Sequence, residues 1–309
     1  MVTARLVWPR LAPMLRRLSA LLLGSILGLS CSGGEATESS REAKAPDSPA
    51  QRIVVLGPST AANLFAMGQG HRVVGVSDYN TLPAATDLPR IGGLADPSLE
   101  RILALDPDLV LVQGNIPRVE QVCASAEIAF HAFKTDTLLE WHEELDWLGA
   151  QVGPEVEAER VRQEFDAELE RLQSSDSQAK PKVLLVIYRR AEEASGMMVA
   201  GDQGFLHELL LAVGGANVLE GSDQDYFDLN EERLVRLAPD LILEFRTEAS
   251  VEQQEVLDRA ALSIWHRDFP SLPAVQAGRV HSLVGKDLLI PGPGMLETAR
   301  QMRRWLSAR

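Results

Sequence analysis

Short apolar runs alternate along the chain with longer stretches that have helical spacing. In the first half the apolar runs are residues 52–56, 73–76, 109–112 and 128–133, and in the second half they are residues 183–188, 197–200, 241–245 and 280–284. Continuous apolar runs of this length, separated by helices, are typical of strands that are buried on both faces of a parallel sheet. The pattern therefore predicts an α/β fold with two similar lobes, each with a parallel sheet flanked by helices.

One segment of the chain occurs twice and supports the two-lobe prediction. Residues 96–112 read DPSLERILALDPDLVLV, and residues 228–244 read DLNEERLVRLAPDLILE. Each copy begins with an aspartate suited to cap a helix, Asp96 or Asp228, then carries apolar helical positions, stops at a proline and continues into an apolar strand. We therefore expect the same helix-to-strand unit in both lobes.

The two halves are joined by a segment with strong helical character. Residues 154–173 read PEVEAERVRQEFDAELERLQ, which begins with proline, is dense in helix formers and has helically spaced apolar residues. We expect one long helix in residues 154–175 to connect an N-terminal lobe, residues 52–153, to a C-terminal lobe, residues 176–309. A stiff helical connector permits small rocking motions rather than a wide hinge movement.

The N-terminus predicts export. Several arginines precede the apolar run of residues 21–27, which is too short to span a bilayer and has the length of a signal-peptide core, so residues 1–30 are expected to be removed. The sequence Gly28-Leu29-Ser30-Cys31 is similar to a bacterial lipobox, in which the cysteine is acylated. The alternative is cleavage by a general signal peptidase, which leaves Cys31 as a thiol.

Residues 31–51 predict a lipidated cysteine followed by a disordered tether, because they contain no large apolar residue that could offset the entropy of ordering. These features predict a periplasmic protein that is anchored to a bacterial membrane through its lipid alone. The net charge of −14 disfavours nucleic acid and anionic headgroups as partners. Beyond Cys31 the only cysteine is Cys123, so no disulfide is expected between structural cysteines and Cys123 is expected in the core.

Three blocks of the chain suggest a family. The stretches RIVVLGPSTAANLFAMGQGHRVVGVSDY, LPRIGGLADPSLERILALDPDLVLVQGN and WHRDFPSLPAVQAGRVHSL resemble the substrate-binding proteins of ABC importers for ferric siderophores, haem and vitamin B12. The resemblance covers residues 52–306. It implies a bilobed, monomeric binding protein rather than an enzyme, with no cofactor besides its ligand. It also implies that the ligand is held between the lobes and delivered to a permease dimer with ATPase subunits.

The ligand is expected where the carboxyl ends of the strands of both lobes face each other, because open parallel sheets bind ligands there. Tyr79 is the leading candidate, since its ring can stack on a macrocycle and its phenol can bind a chelate. The alternative is that Tyr79 only covers the edge of the lobe. Arg189 and Arg246 suit carboxylate groups of a ligand, and the alternative is that each forms an ordinary surface ion pair. Trp265 is expected in a loop before the last strand, where it either walls the cleft or caps the core. The predicted ligand-binding set is Pro58, Ser59, Thr60, Tyr79, Asn80, Gly114, Asn115, Arg189, Arg246 and Trp265.

Two glutamates at equivalent positions of the repeated segment are candidates for partner docking. The resemblance implies that Glu100 and Glu232 each contact basic residues of one permease subunit. The alternative is that both are ordinary first-turn acids, which the helix macrodipole favours by a few tenths of a kcal/mol.

The sequence indicates the family more specifically than it indicates which ligand this chain binds. Haem-binding members tend to carry a tyrosine where this chain has Gly92-Gly93-Leu94, so haem is the less favoured ligand. Members that bind vitamin B12 resemble the VGVSDY stretch but commonly have a second tyrosine where this chain has Leu82. We therefore expect a metal chelate, either an iron–siderophore or a corrinoid such as vitamin B12.

Two alternatives remain open at this point. A receptor for a bare metal ion would need converging imidazoles and carboxylates, whereas the six histidines are scattered. His131 could face the cleft, but the alternative is an ordinary strand residue, and no metal ligands are predicted. An enzyme or a sensor could reuse the fold. The stretch Gly68-Gln69-Gly70-His71, however, follows a helix and lacks the third glycine of a dinucleotide-binding loop.

Overall fold

The computed structural model describes residues 49–173 and 180–307, all of which belong to one unit, Glu42–Arg309. The predicted signal peptide, the acylation site at Cys31 and most of the predicted tether lie outside the described residues. Among the described residues, no helix has both the length and the apolar character needed to cross a membrane.

The first lobe is built on a parallel sheet of four strands. Its elements are β1 (Ile53–Leu56), α1 (Pro58–Ala66), β2 (Val73–Val76), α2 (Leu99–Ala104), β3 (Leu109–Gln113), α3 (Pro117–Ser125), β4 (Ala129–Phe133) and α4 (Leu138–Gln151). The strand order is β2-β1-β3-β4, with every neighbouring pair parallel. Each apolar run predicted in this half is a strand of this sheet.

Successive residues of the central strands pack on opposite faces of the sheet. On one face, Ile53 and Val55 belong to the cluster that includes Trp141 of α4. On the other face, Val54 packs in the cluster that includes Cys123 of α3. Burial raises the pKa of the Cys123 thiol to about 11, as expected for an unreactive core cysteine.

The second lobe has a mixed sheet of six strands. Its elements are β5 (Lys182–Tyr188), β6 (Met197–Ala200), α6 (Phe205–Ala212), β7 (Ala216–Asn217), β8 (Tyr226–Leu229), α7 (Glu231–Leu237), β9 (Leu241–Arg246), α8 (Gln254–Asp268), α9 (Pro273–Gln276), β10 (Val280–Val284) and α10 (Met295–Ser307). The strand order is β10-β9-β5-β6-β8, and β7 pairs with β5. Strands β6 and β8 are antiparallel to their neighbours, so the all-parallel sheet expected for this lobe is corrected to a mixed one.

Helix α5 (Glu155–Leu172) joins the lobes, as the composition of this segment predicts. At about 1.5 Å per residue it is about 27 Å long. Ala158, Val161, Phe165 and Leu169 are its buried residues, and the helix packs on α4 of the first lobe and on α6 and α10 of the second. The connector is therefore packed along its length against both lobes.

The repeated segment forms the same helix-to-strand unit in both lobes, with a different cap from the one expected. Ser98 and Asn230, rather than Asp96 and Asp228, cap α2 and α7, and their side chains accept from the backbone N–H two positions beyond the first helical residue. Asp228 instead lies in strand β8. Both caps are two residues nearer to the apolar positions that anchor the helix.

The aspartate of the Pro-Asp pair in each repeat hydrogen-bonds the backbone at the N-terminal end of the first strand of its lobe. The Asp108 carboxylate accepts from the backbone N–H groups of Gln51 at 2.7 Å and Arg52 at 3.0 Å. The equivalent Asp240 accepts from the N–H of Lys182 at 2.9 Å. Because these donors precede or begin the first strand of each lobe, the repeated aspartate pins neighbouring strands together.

Candidate functional site

A cavity of about 380 Å³ lies at the carboxyl ends of the first-lobe strands, where a segment of the second lobe crosses them. It is lined by Pro58, Tyr79, Leu94, Gln113, Gly114, Phe133, Lys134, Thr135, Asp136, Leu289, Ile290 and Pro291. Residues 289–291 follow β10, so both lobes contribute walls. This is the edge of the sheet at which open α/β folds bind ligands.

A second cavity of about 280 Å³ adjoins the first, since Pro58, Ile290 and Pro291 line both. It lies against α1 and the segment that leads to α10. A direct bond joins the lobes beside it, because the Thr81 hydroxyl donates to the Asp287 carboxylate. Together the two cavities form a cleft, which Ile290 and Pro291 divide.

Tyr79 stands at the rim of the cleft, and its ring rests on a glycine. The side chain is 63% exposed and lines the larger cavity. A Cβ atom added to Gly93 would lie 2.9 Å from the Tyr79 ring, which is closer than real contacts allow. A side chain at Gly93 would therefore crowd this ring, and also the Asp96 carboxylate, 2.8 Å from the same point. With glycine there, the ring keeps its position and leaves an aromatic face open to the cleft.

The other first-lobe residues of the predicted set separate into four groups, and the fourth is a buried pair in α1. Pro58 and Gly114 line the cleft. Asn115 is exposed but lines neither cavity. Asn80 is buried, and its side-chain oxygen accepts from the N–H of Leu82 at 3.1 Å, so it shapes the turn that carries Tyr79.

Ser59 and Thr60 lie in the core of the first lobe rather than on the cleft wall. Both are fully buried in α1, because the helix turns them away from the cavity that Pro58 lines. The expectation that they contact ligand directly does not match this placement.

A buried carboxyl group lies behind the cleft wall. Glu144 of α4 accepts from Asn63 Nδ2 at 3.0 Å and from the hydroxyl of Thr135, a cleft residue, at 2.6 Å. Asn63 in turn accepts from Trp141 Nε1 at 2.9 Å. Burial raises the pKa of Glu144 above its ordinary value, although the hydrogen bonds that the carboxyl group accepts lower it, so it is burial that favours the neutral acid.

In the second lobe, Arg189, Arg246 and Trp265 converge on one buried carboxylate instead of lining the cleft. Arg189 Nε donates to Glu244 Oε1 at 2.5 Å, Trp265 Nε1 donates to the same oxygen at 2.6 Å, and Arg246 donates to Oε2. Trp265 lies inside α8 and is fully buried, which corrects its expected position in a loop. Arg189 is buried with its donors engaged, whereas Arg246 remains partly exposed at the end of β9.

The polar groups of the cleft are largely paired. Lys134 contacts Glu140 at 3.0 Å and Asp136 at 3.5 Å, and the hydrogen bond to Glu140 raises the pKa of its exposed ammonium group. His131, which the sequence allowed to face the cleft, lines neither cavity. It stacks on Trp147 with ring centroids 4.1 Å apart, and burial lowers its pKa. Within the described residues, no three His, Cys, Asp or Glu side chains form a group that could hold a metal ion.

The segment Leu289–Pro291 is the part of the site that sequence reasoning missed. It places apolar side chains in both cavities although it belongs to no helix or strand. Its signal is an apolar run, DLLIPGPG, directly after the last strand, where a surface loop would be polar. Phe133 was overlooked because it reads as the last residue of a core strand.

Glu100 and Glu232 occupy equivalent first-turn positions of α2 and α7, and both are exposed. Neither lines the cleft. Their placement is compatible with contact to another molecule and with the ordinary first-turn role alike.

Comparison with known proteins identifies the fold. A family model described as periplasmic binding protein matches residues 53–284. The chain belongs to the periplasmic binding protein family. The resemblance that the sequence blocks suggested is thereby confirmed, and at the level of the family the chain is grouped with binding proteins rather than with enzymes.

Two curated relatives of this periplasmic binding protein are named for vitamin B12 binding and for heme uptake. It is 26% identical over 262 residues to the vitamin B12-binding protein of Vibrio cholerae, covering 84% of this chain and 90% of that protein. It is 23% identical over 252 residues to the high-affinity heme uptake system protein IsdE of Staphylococcus aureus, covering 80% of this chain and 82% of that protein.

A solved structure shares the architecture. The crystal structure of the periplasmic vitamin B12 binding protein BtuF of Vibrio cholerae superposes with a TM-score of 0.68 at 23% identity, covering 84% of this chain and 97% of that one. At this identity the likeness shows the fold alone. It confirms the predicted α/β architecture of two lobes.

Proposed function

We propose that this protein is the substrate-binding lipoprotein of an ABC importer and captures a metal chelate in the cleft between its lobes. The observation that carries the proposal is the larger cavity, whose apolar walls come from both lobes and whose rim presents the open ring of Tyr79. Ligand sites of proteins are typically concave and mostly apolar, with a few polar groups that fix orientation.

The lining favours an intact chelate over a bare ion. Leu94, Phe133, Leu289, Ile290 and Pro291 offer hydrocarbon contacts to a bulky organic ligand, and the described residues supply no converging metal ligands. The named activities of the relatives, vitamin B12 binding and heme uptake, are of the same chemical kind. We retain an iron–siderophore or a corrinoid such as vitamin B12 as the favoured ligands, and haem as the less favoured one.

The remaining parts of the proposal follow from the family and from the N-terminal sequence. Export through the signal peptide and acylation of Cys31 would hold the protein at a bacterial membrane in the periplasm. Glu100 and Glu232 would then orient the loaded protein on a permease dimer whose ATPase subunits drive release. Exposed ion pairs of this kind contribute about 0.2 to 1 kcal/mol each, so they act on orientation and encounter more than on affinity.

A titration of intrinsic fluorescence tests the binding proposal. Purified protein is titrated with cyanocobalamin, cobinamide, haemin, and hydroxamate and catecholate ferric siderophores. We expect saturable quenching by one chelate with a Kd below about 1 μM. We expect Tyr79→Ala to weaken that binding about ten-fold through loss of stacking.

Tyr188→Ala is the matched control, because Tyr188 is 62% exposed and lines neither cavity. Equal weakening by both variants would contradict the assignment of the cleft. Saturable binding that is insensitive to Tyr79 would place the ligand elsewhere.

A further inference from the structure

Two apolar side chains are exposed at equivalent positions of the repeated segment. Leu103 in α2 is 42% exposed, and Val235 in α7 is 48% exposed. The residues just before them, Ile102 and Leu234, are fully buried and anchor the two helices. Among the large apolar side chains that the structure describes as exposed, no other pair occupies matching positions of the repeat.

Each exposed apolar residue lies beside an exposed acid. Glu100 and Glu232 precede Leu103 and Val235 by three positions, so each acid and its apolar neighbour share one side of a short helix. Within the described residues Glu100 has no ion pair. Among these same described residues, Glu232 pairs only with Arg236, at 3.8 Å and with both side chains largely exposed.

The neighbouring arginines do not neutralise these acids, because both fold back onto their own lobe. Arg101 Nη1 donates to the backbone carbonyl of Arg90 at 3.1 Å. The Arg233 guanidinium lies 5.1 Å from the ring centroid of Phe227. The same acid and apolar pair is therefore left open on both lobes, although the two arginines bind different groups.

We propose that Leu103 and Val235 are the apolar anchors of two equivalent docking surfaces, here called the paired anchor sites, and that the acids beside them steer a basic partner onto them. The proposal rests on the proposed function, because the partner it commits to is the membrane permease. A partner that fits both sites presents one basic and apolar surface twice, as a two-fold symmetric dimer does.

The acid and the apolar side chain of each site are expected to have different roles in binding. An exposed charge at a rim mainly changes the rate and orientation of encounter, whereas residence depends on desolvated apolar contacts. Covering the exposed part of a leucine or valine side chain corresponds to about a five-fold change in binding. The apolar anchors are therefore expected to supply affinity that the acids alone do not provide.

Serine substitutions in the full chain test the paired anchor sites. In the producing bacterium, the native copy is replaced by Leu103→Ser, by Val235→Ser or by the double variant. Uptake of radiolabelled cyanocobalamin, haemin and a ferric hydroxamate is then measured at limiting concentration. We expect uptake to fall about five-fold in each single variant and about 25-fold in the double variant, since the effects of distant sites add in free energy. The purified variants should bind the transported chelate as the wild type does.

Val256→Ser is the matched control, because Val256 is 60% exposed on α8, outside the repeated segment. Wild-type uptake by the double variant, or a loss equal to that of the control, overturns the paired anchor sites. Self-association of the wild type that the double variant loses in analytical ultracentrifugation would assign the surfaces to a second copy and overturn the permease as partner. Failure of the wild type to bind any of the three probes defeats the proposed function itself, and this proposal with it.

Discussion

Replacing Glu144 tests how the core of the first lobe supports the cleft wall. The side chain is fully buried and accepts from Asn63 and Thr135, both buried as well. In Glu144→Ala both donors lose their acceptor, at about 1 to 3 kcal/mol each. We therefore expect the free energy of unfolding to fall by about 2 to 6 kcal/mol, a large part of the total stability of a typical domain.

Glu144→Gln separates hydrogen bonding from charge. It keeps the size and one carbonyl acceptor, so we expect a loss below about 1.5 kcal/mol at acidic pH. Urea unfolding followed by tryptophan fluorescence measures both variants. Glu143→Gln, an exposed neighbour on the same helix, is the control and should leave the free energy of unfolding unchanged.

The pH dependence of the same variant gives a sharper test, because burial raises the pKa of Glu144 above its ordinary value of 4.5. The folded state then keeps a proton that the unfolded state releases. This group's stabilisation is complete below pH 4.5 and is lost as pH rises through the folded pKa, by at most about 1.4 kcal/mol per pH unit. As pH rises over this range, the free energy of unfolding of Glu144→Gln should increase relative to that of the wild type. A difference between the two free energies that does not change with pH would refute the reasoning.

Two further substitutions probe the second lobe and the rim of the cleft. Glu244→Ala should lower the free energy of unfolding by about 3 to 5 kcal/mol, because it leaves the buried guanidinium of Arg189 without its carboxylate. Thermal denaturation measures this change, and a loss below about 1 kcal/mol would contradict the prediction. Gly93→Ala should displace the Tyr79 ring and weaken chelate binding to about the level of Tyr79→Ala while leaving the fold intact by circular dichroism. Wild-type affinity in Gly93→Ala would show that the ring position does not matter.

Most strands could be predicted from the sequence because strands that are buried on both faces appear as continuous apolar runs. Every run singled out in the sequence is a strand of the structure, and the long connector is a helix. Strand β8 was missed because it alternates exposed and less exposed residues at a sheet edge. Strand β7, with two residues, is too short to carry a pattern.

The caps of the repeated helices show the limit of local signals. Asp96 and Ser98 both have side chains that can cap, and so do Asp228 and Asn230. Only the position of the buried Ile102 and Leu234 relative to the sheet decides where the helix begins. That information comes from packing and not from the capping residue itself.

The site was only partly predictable because half of it depends on contacts between distant residues. Tyr79 follows directly from its place after a strand. Arg189 and Trp265 looked available for a ligand because their partner, Glu244, is remote in sequence and reads as part of an apolar strand. The segment Leu289–Pro291 enters the cleft through the arrangement of the two lobes, which no local pattern records.

Isothermal titration calorimetry of the purified protein tests the central claim most directly. The chelate panel is titrated beside Fe³⁺, Co²⁺ and Zn²⁺ as bare ions. The account predicts that one chelate binds with a stoichiometry of about one per protein and a Kd below about 1 μM, and that the bare ions do not bind at that level. Binding of a bare ion without any chelate, or no binding by any member of the panel, would contradict it.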